Sequence, residues 1–206
     1  MEGLYRSIFK TLFLIILLCI ISSGNLYGAA AIPEITGPIK ITAESYPFNA
    51  ADHSLVPQDL GKYKYIEEEY FISGKANIYD FNDKGEVIVG TPDAPYTTRI
   101  LIRRPELRDS CSGNVIVELL NPTANYDMDL QWMFCNNYFM ENGDIWVGIT
   151  VKPVAAKALK TFNPIRYAPM SWKNPLPLEK TCKEPSGGQT DTKPETENGL
   201  AWDIVS

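Results

Sequence analysis

Residues 114–120 read NVIVELL, residues 127–141 read DMDLQWMFCNNYFME and residues 145–151 read IWVGITV. The first and third are short, mostly apolar runs, the pattern of strands buried on both faces. The middle run repeats Leu130, Phe134 and Tyr138 at i, i+4 and i+8, with Met133 and Met140 a heptad apart, and this apolar stripe predicts a helix. Asp127 and Asp129 stand near its start, where negative charge suits the helix dipole. Gly143 follows as a C-terminal cap. Strand, helix and strand with tight connections make a βαβ unit, which implies a parallel pair and a right-handed crossover.

The residues before this unit are β-rich. Residues 63–79 alternate around Tyr65, Glu67 and Glu69, then continue through Phe71, Ile72 and Ile78, and Gly74 is expected to divide them into two strands. Residues 82–85, NDKG, are turn chemistry in which Gly85 is free to take positive φ. Residues 87–89 predict a short strand and residues 96–103 a longer one. Antiparallel strands leading into a βαβ unit place the chain in the α/β class. Residues 32–60 are rich in Pro, Ala and Asp and read as an extended lead-in, with one helical turn at 57–61. A short helix is predicted at 155–160. Residues 183–198, KEPSGGQTDTKPETEN, form a polar linker. Residues 199–206, GLAWDIVS, begin an amphipathic helix with Asn198 as N-cap.

Residues 1–30 are set apart from the fold. Arg6 and Lys10 give a positive start, residues 12–21 are an unbroken apolar run, and Gly28, Ala29, Ala30 and Ala31 are small residues suited to a signal peptidase. The apolar run is short for a bilayer, which needs about 20 residues. A cleaved signal peptide is therefore expected, with residues 31–206 as the exported domain, in the periplasm or secreted. Contact with a membrane is expected only through that segment. The lipoprotein reading at Cys19 fails because Leu18 precedes it. Cys111, Cys135 and Cys182 then remain, an odd set in which one is free or pairs outside the chain.

The chain of 206 residues is long enough for one sizeable core, with 45% hydrophobic and 21% charged residues. Its net charge of -6 carries no basic block, which argues against a nucleic-acid partner. No cofactor or metal is expected. No C-x-x-C or Cys/His cluster exists for zinc, and the calcium spacing of Asn125, Asp127 and Asp129 fails at Leu130 and Asn136. Asn121-Pro122-Thr123 is barred from glycosylation by its proline. Glu118 reads as a strand-end ion pair or a catalytic carboxylate, Cys135 as a packing residue. Trp132, Trp146, Trp172 and Trp202 read as core. Tyr63, Tyr65, Tyr70 and Tyr79 suit strands, or a sugar groove. A serine hydrolase of the α/β type needs G-x-S-x-G on a strand-to-helix turn, and the sequence contains none. The single histidine, His53, precedes every strand of the parallel unit and is not expected to act as a base.

Several longer strings carry a resemblance: residues 45–53 (SYPFNAADH), 67–77 (EEEYFISGKAN), 94–100 (APYTTRI), 113–118 (GNVIVE) with 121–123 (NPT), 147–153 (VGITVKP) and 199–204 (GLAWDI). Through them the chain resembles exported bacterial proteins described as α/β-hydrolase domain-containing. The resemblance implies that residues 114–120 feed the oxyanion loop, that residues 145–151 are the next strand, and that residue 199 opens the helix before the nucleophile strand. One oxyanion donor would be a backbone N–H in residues 121–126. Pro122 has no N–H, so Asn121 and Thr123 are the candidates. The nucleophile, acid and base would lie beyond Ser206. The expected fold is thus the N-terminal part of an α/β-hydrolase-like sheet, incomplete in these residues. The substrate of the complete form would be a small ester-like molecule. A self-folding β-rich binding module and a pseudoenzyme are the alternatives. If sheet strands are missing, residues 145–151 or a neighbour should be an exposed edge, and Trp202 and Ile204 should lack a partner surface.

Overall fold

The computed structural model describes residues 32–54, 56–177 and 195–206. The leader, residues 183–194 of the linker and Cys182 lie outside the described residues.

Five strands form one mixed sheet among the described residues: β1 (Glu34–Thr36), β2 (Tyr65–Phe81), β3 (Val87–Pro105), β4 (Val115–Leu119) and β5 (Ile145–Ile149), in the order β1-β2-β3-β5-β4. The first three pairings are antiparallel and β4 runs parallel to β5. Helix α1 (Leu130–Asn142) joins β4 to β5, α2 (Pro153–Phe162) follows β5, and α3 (Ala201–Ile204) closes the chain. Antiparallel strands leading into a parallel unit are therefore observed as predicted.

The two long strands differ from the expected short ones. β2 and β3 run for 17 and 19 residues as one hairpin. Gly74 does not break β2. It lies opposite Tyr96, whose ring covers it so closely that a Cβ there would stand 3.0 Å from the phenol oxygen. The glycine serves a close approach, not a chain break. The register shifts instead between Ala76 and Tyr79. At the tip, Asn82 Oδ1 accepts from the N–H groups of Lys84 and Glu86, and Gly85 takes φ 76°. The helical turn of the lead-in falls at Leu60–Tyr63, opened by the Asp59 carboxylate on the N–H of Lys62.

Register places Tyr65, Glu67, Glu69 and Phe71 on one face with Arg99, Leu101, Arg103, Trp146 and Glu118. Helix α1 covers part of that face. Its buried side chains are Trp132, Phe139 and Met140, which pack with Tyr65, Leu101, Leu120 and Trp146. The stripe of Phe134 and Tyr138 is exposed. Both stripes are apolar, so the helix has no polar side to betray which one packs. A second cluster gathers Phe71, Ile72, Tyr96, Leu159, Met170 and Trp172 with Leu200 and Ile204 of the last segment.

Two further expectations are corrected. β4 is an edge strand and is not buried on both faces: Val115, Val117 and Leu119 are 57%, 55% and 50% exposed, because nothing among the described residues covers that side. Ile204 does have a partner surface and is 8% exposed, while Trp202 is 70% exposed, which agrees with its expected lack of a partner surface and corrects its reading as core. The last segment turns at Asn198–Leu200, and its cap is Glu197, whose carboxylate accepts from the N–H of Gly199 at 2.6 Å, in place of Asn198. Among the described residues no helix is long and apolar enough to cross a membrane.

Candidate functional site at the end of β4

The loop between β4 and α1 begins as a continuation of the parallel ladder, with the N–H of Leu120 on the carbonyl of Ile149 at 3.0 Å. Asn121 and Met128 then exchange backbone hydrogen bonds at 2.9 and 3.0 Å, closing the loop upon itself. Inside it, Asn121 Oδ1 accepts from both the N–H and the hydroxyl of Thr123, at 2.9 and 2.6 Å. This is an Asx turn, which asparagine forms readily before proline. The N–H of Asn125 returns to the carbonyl of Pro122, and Asn125 sits in the left-handed region at φ 66°. The N–H groups of Asn121 and Thr123 are thus both engaged within the loop.

Beyond the turn the chain dives under the sheet. Asp127 is fully buried; its Oδ2 accepts from Arg99 Nη2 at 3.3 Å and from the hydroxyl of Thr150. Asp129 accepts from Arg103 Nη1 at 2.7 Å. Helix α1 therefore starts at Leu130, later than the acidic residues suggested, because both aspartates are held by arginines and neither caps it. The cap comes from β4. Glu118 accepts from the N–H groups of Gln131 and Trp132 at 2.8 and 3.1 Å and from the indole of Trp146 at 2.9 Å. It is neither in an ion pair nor open to substrate. A carboxylate at a helix N-terminus meets unpaired N–H donors and the positive end of the dipole. Burial still raises its pKa, against the pull of those three donors.

The two arginines extend the anchorage. Arg99 pairs with Glu69 at 3.1 Å and donates to the carbonyl of Phe48 at 3.0 Å. Arg166 holds the other oxygen of Glu69 at 2.6 Å, and the Tyr167 hydroxyl donates to Glu69 at 2.8 Å. Burial pushes the Tyr167 phenol up to about 12. Burial alone would lower the Arg99 guanidinium; Tyr167, Asp127 and Glu69 around it carry it above the usual arginine range. Arg103 pairs with Glu67 at 2.7 Å and lies between two indoles, 4.7 Å from the centre of Trp132 and 4.8 Å from that of Trp146. Burial raises Asp127 and Glu67 as well, with Arg99 and Arg103 opposing it.

The lead-in locks the loop from the other side. Asn49 Nδ2 donates to the carbonyl of Asp127 at 2.6 Å, and the ring of Phe48 meets Tyr126 edge-on at 5.9 Å. His53 stacks on Tyr46 at 3.8 Å and shares a 2.7 Å contact with Asp52. It is partly exposed. Cys111 and Cys135 are free thiols. Among the described residues no group of His, Cys, Asp and Glu could hold a metal ion. The sequence reading missed the network because Glu67, Glu69, Arg99 and Arg103 look like the polar positions of amphipathic strands. Their spacing of two and four residues puts each pair on one strand face, and that was the available signal.

Residues 35–206 match the alpha/beta hydrolase domain family, and the chain belongs to it. Neither the comparison with curated proteins nor that with solved structures gave a match.

Proposed function

We propose that the chain forms the N-terminal, oxyanion-loop side of an exported serine-type hydrolase acting on small ester-like substrates. By themselves these residues are expected to be inactive. The observation that carries this reading is the loop of residues 121–129, fixed at the C-terminal end of a parallel strand by the buried carboxylates of Glu118 and Asp127, by Asp129, and by Arg99 and Arg103 on β3. Preorganised backbone donors at such a place are what acyl transfer requires. Of the two candidates, the N–H of Asn121 belongs to the bridge with Met128, whereas that of Thr123 is released by rotating one side chain, Asn121. Thr123 is thus the better oxyanion donor.

The sequence holds no G-x-S-x-G, and the contacts of His53 are with Tyr46 and Asp52, which supports the reading that these residues assemble no nucleophile–base pair. The chain is expected to leave p-nitrophenyl acetate at the buffer rate. A product burst that vanishes when one of its own serines is replaced by alanine would overturn the reading. Export is supported by Arg6, Lys10, the apolar run and the small residues at 28–31; N-terminal sequencing of secreted protein should begin at Ala31 or Ile32, and retention of Met1 would contradict it. The self-folding binding module has one observation in its favour, the burial of Leu200 and Ile204 in the second core. A sharp, cooperative melt of the monomeric chain would support that alternative.

A further inference from the structure

Away from the loop, a cavity of about 890 Å³ opens between residues 41–53, residues 57–61 and the start of β2. Ile41, Leu60 and Ile66 give it aliphatic walls, and Tyr46 adds an aromatic surface. Its lining is rich in carboxylates: Asp52, Asp59 and Glu67 contribute them, His53 stands beside Asp52 at 2.7 Å, and no lysine or arginine lines it. Glu67 is the informative residue. Its side chain is only 9% exposed, and Oε2 is taken by Arg103 at 2.7 Å and by the N–H of Ala51 at 3.1 Å. Oε1 has only a 3.4 Å contact with that same N–H. One oxygen of a buried carboxylate is therefore left with room for a stronger donor.

We propose that this cavity binds a small organic ammonium ion, with its apolar body against the aliphatic walls and an N–H directed to Glu67 Oε1. A donor-only cation suits an acceptor-only carboxylate, and a charge-assisted hydrogen bond outweighs its neutral counterpart. A carboxylate ligand would face the carboxylates of Asp59 and Asp52, and Glu67, whose other oxygen is held by Arg103. An alcohol of the same shape would keep the apolar contact and lose the charge. The proposal does not rest on hydrolase activity.

The test is calorimetric titration of the whole chain at low salt with benzylammonium, benzyl alcohol and benzoate. Benzylammonium is expected to bind at least about tenfold more tightly than the alcohol, with no measurable benzoate binding. Glu67→Gln should erase the preference. Because that change also strips Arg103 of a partner, Asp59→Asn provides a second variant at an exposed position. It should weaken benzylammonium about two- to threefold and leave the unfolding midpoint unchanged. Equal binding of the alcohol, any preference for benzoate, an unchanged affinity in Asp59→Asn, or no binding of benzylammonium at about 10 mM would each overturn the assignment.

Discussion

The two faces of β4 have opposite surroundings, and not those that their side chains alone would suggest. On one, Glu118 is buried and ties the start of α1 to Trp146, with Ile116 packed beside it. On the other, Val115, Val117 and Leu119 face outward with half or more of their surface open. The covered face includes a carboxylate, and the open face is purely aliphatic. Burial here follows what the neighbouring elements supply, not side-chain hydrophobicity. Glu118 can be covered because three N–H donors converge on it, and a buried polar group costs little once it is paired. The valines stay exposed because no layer lies over them among the described residues.

The contrast breaks first at the charges beneath the covered face. Arg103→Ala should cost about 3–5 kcal/mol in urea unfolding, since it leaves Glu67 and Asp129 without their partner and empties the space between two indoles. A loss under about 1 kcal/mol would mean that these carboxylates are not confined as described. Glu118→Ala should come next, at about 2 kcal/mol, by orphaning the N–H donors of Gln131 and Trp132 and the Trp146 indole.

The pH dependence is smaller. Burial raises Glu67, Asp127 and Glu118, so the native chain keeps these protons to a higher pH than the unfolded chain. Their contribution is complete below the ordinary carboxylate range, about 4, and is lost as pH rises through the raised values. Urea midpoints compared at pH 4.5 and 7 should show a smaller decline in Glu118→Gln than in the wild type. Parallel declines would remove Glu118 from the account.

On the open face the expected effects are the smallest. Val117→Thr should change stability by no more than about 0.5 kcal/mol. It should also reduce binding of an apolar fluorescent dye, because Val115, Val117 and Leu119 are part of the exposed apolar surface open to such a dye. A loss of 2 kcal/mol at Val117, or a wild-type chain that binds no dye, would show this face to be covered in solution.

Much of the architecture was legible in the sequence. The apolar runs around 114–120 and 145–151, the helix between them and the turn at 82–85 are local patterns, set by side-chain periodicity and backbone preference. They sufficed for the parallel unit and for a loop at its end; Asn121 and Thr123 were singled out there by the family resemblance. What they could not supply was the cover. Phe134 and Tyr138 form as good an apolar stripe as Trp132 and Phe139, and only packing against Leu101 and Trp146 decided between them. Gly74 looked like a break until Tyr96 was placed across it from another strand. Glu67, Glu69, Arg99 and Arg103 looked like solvent-facing residues until register brought them together with Asp127 and Asp129. A strand's period is a property of its own residues, but a hydrogen bond or ion pair needs two partners. In the network of Glu67, Glu69, Asp127 and Asp129 the ion-paired partners are 26 to 97 residues apart, a distance at which only the folded backbone can introduce them.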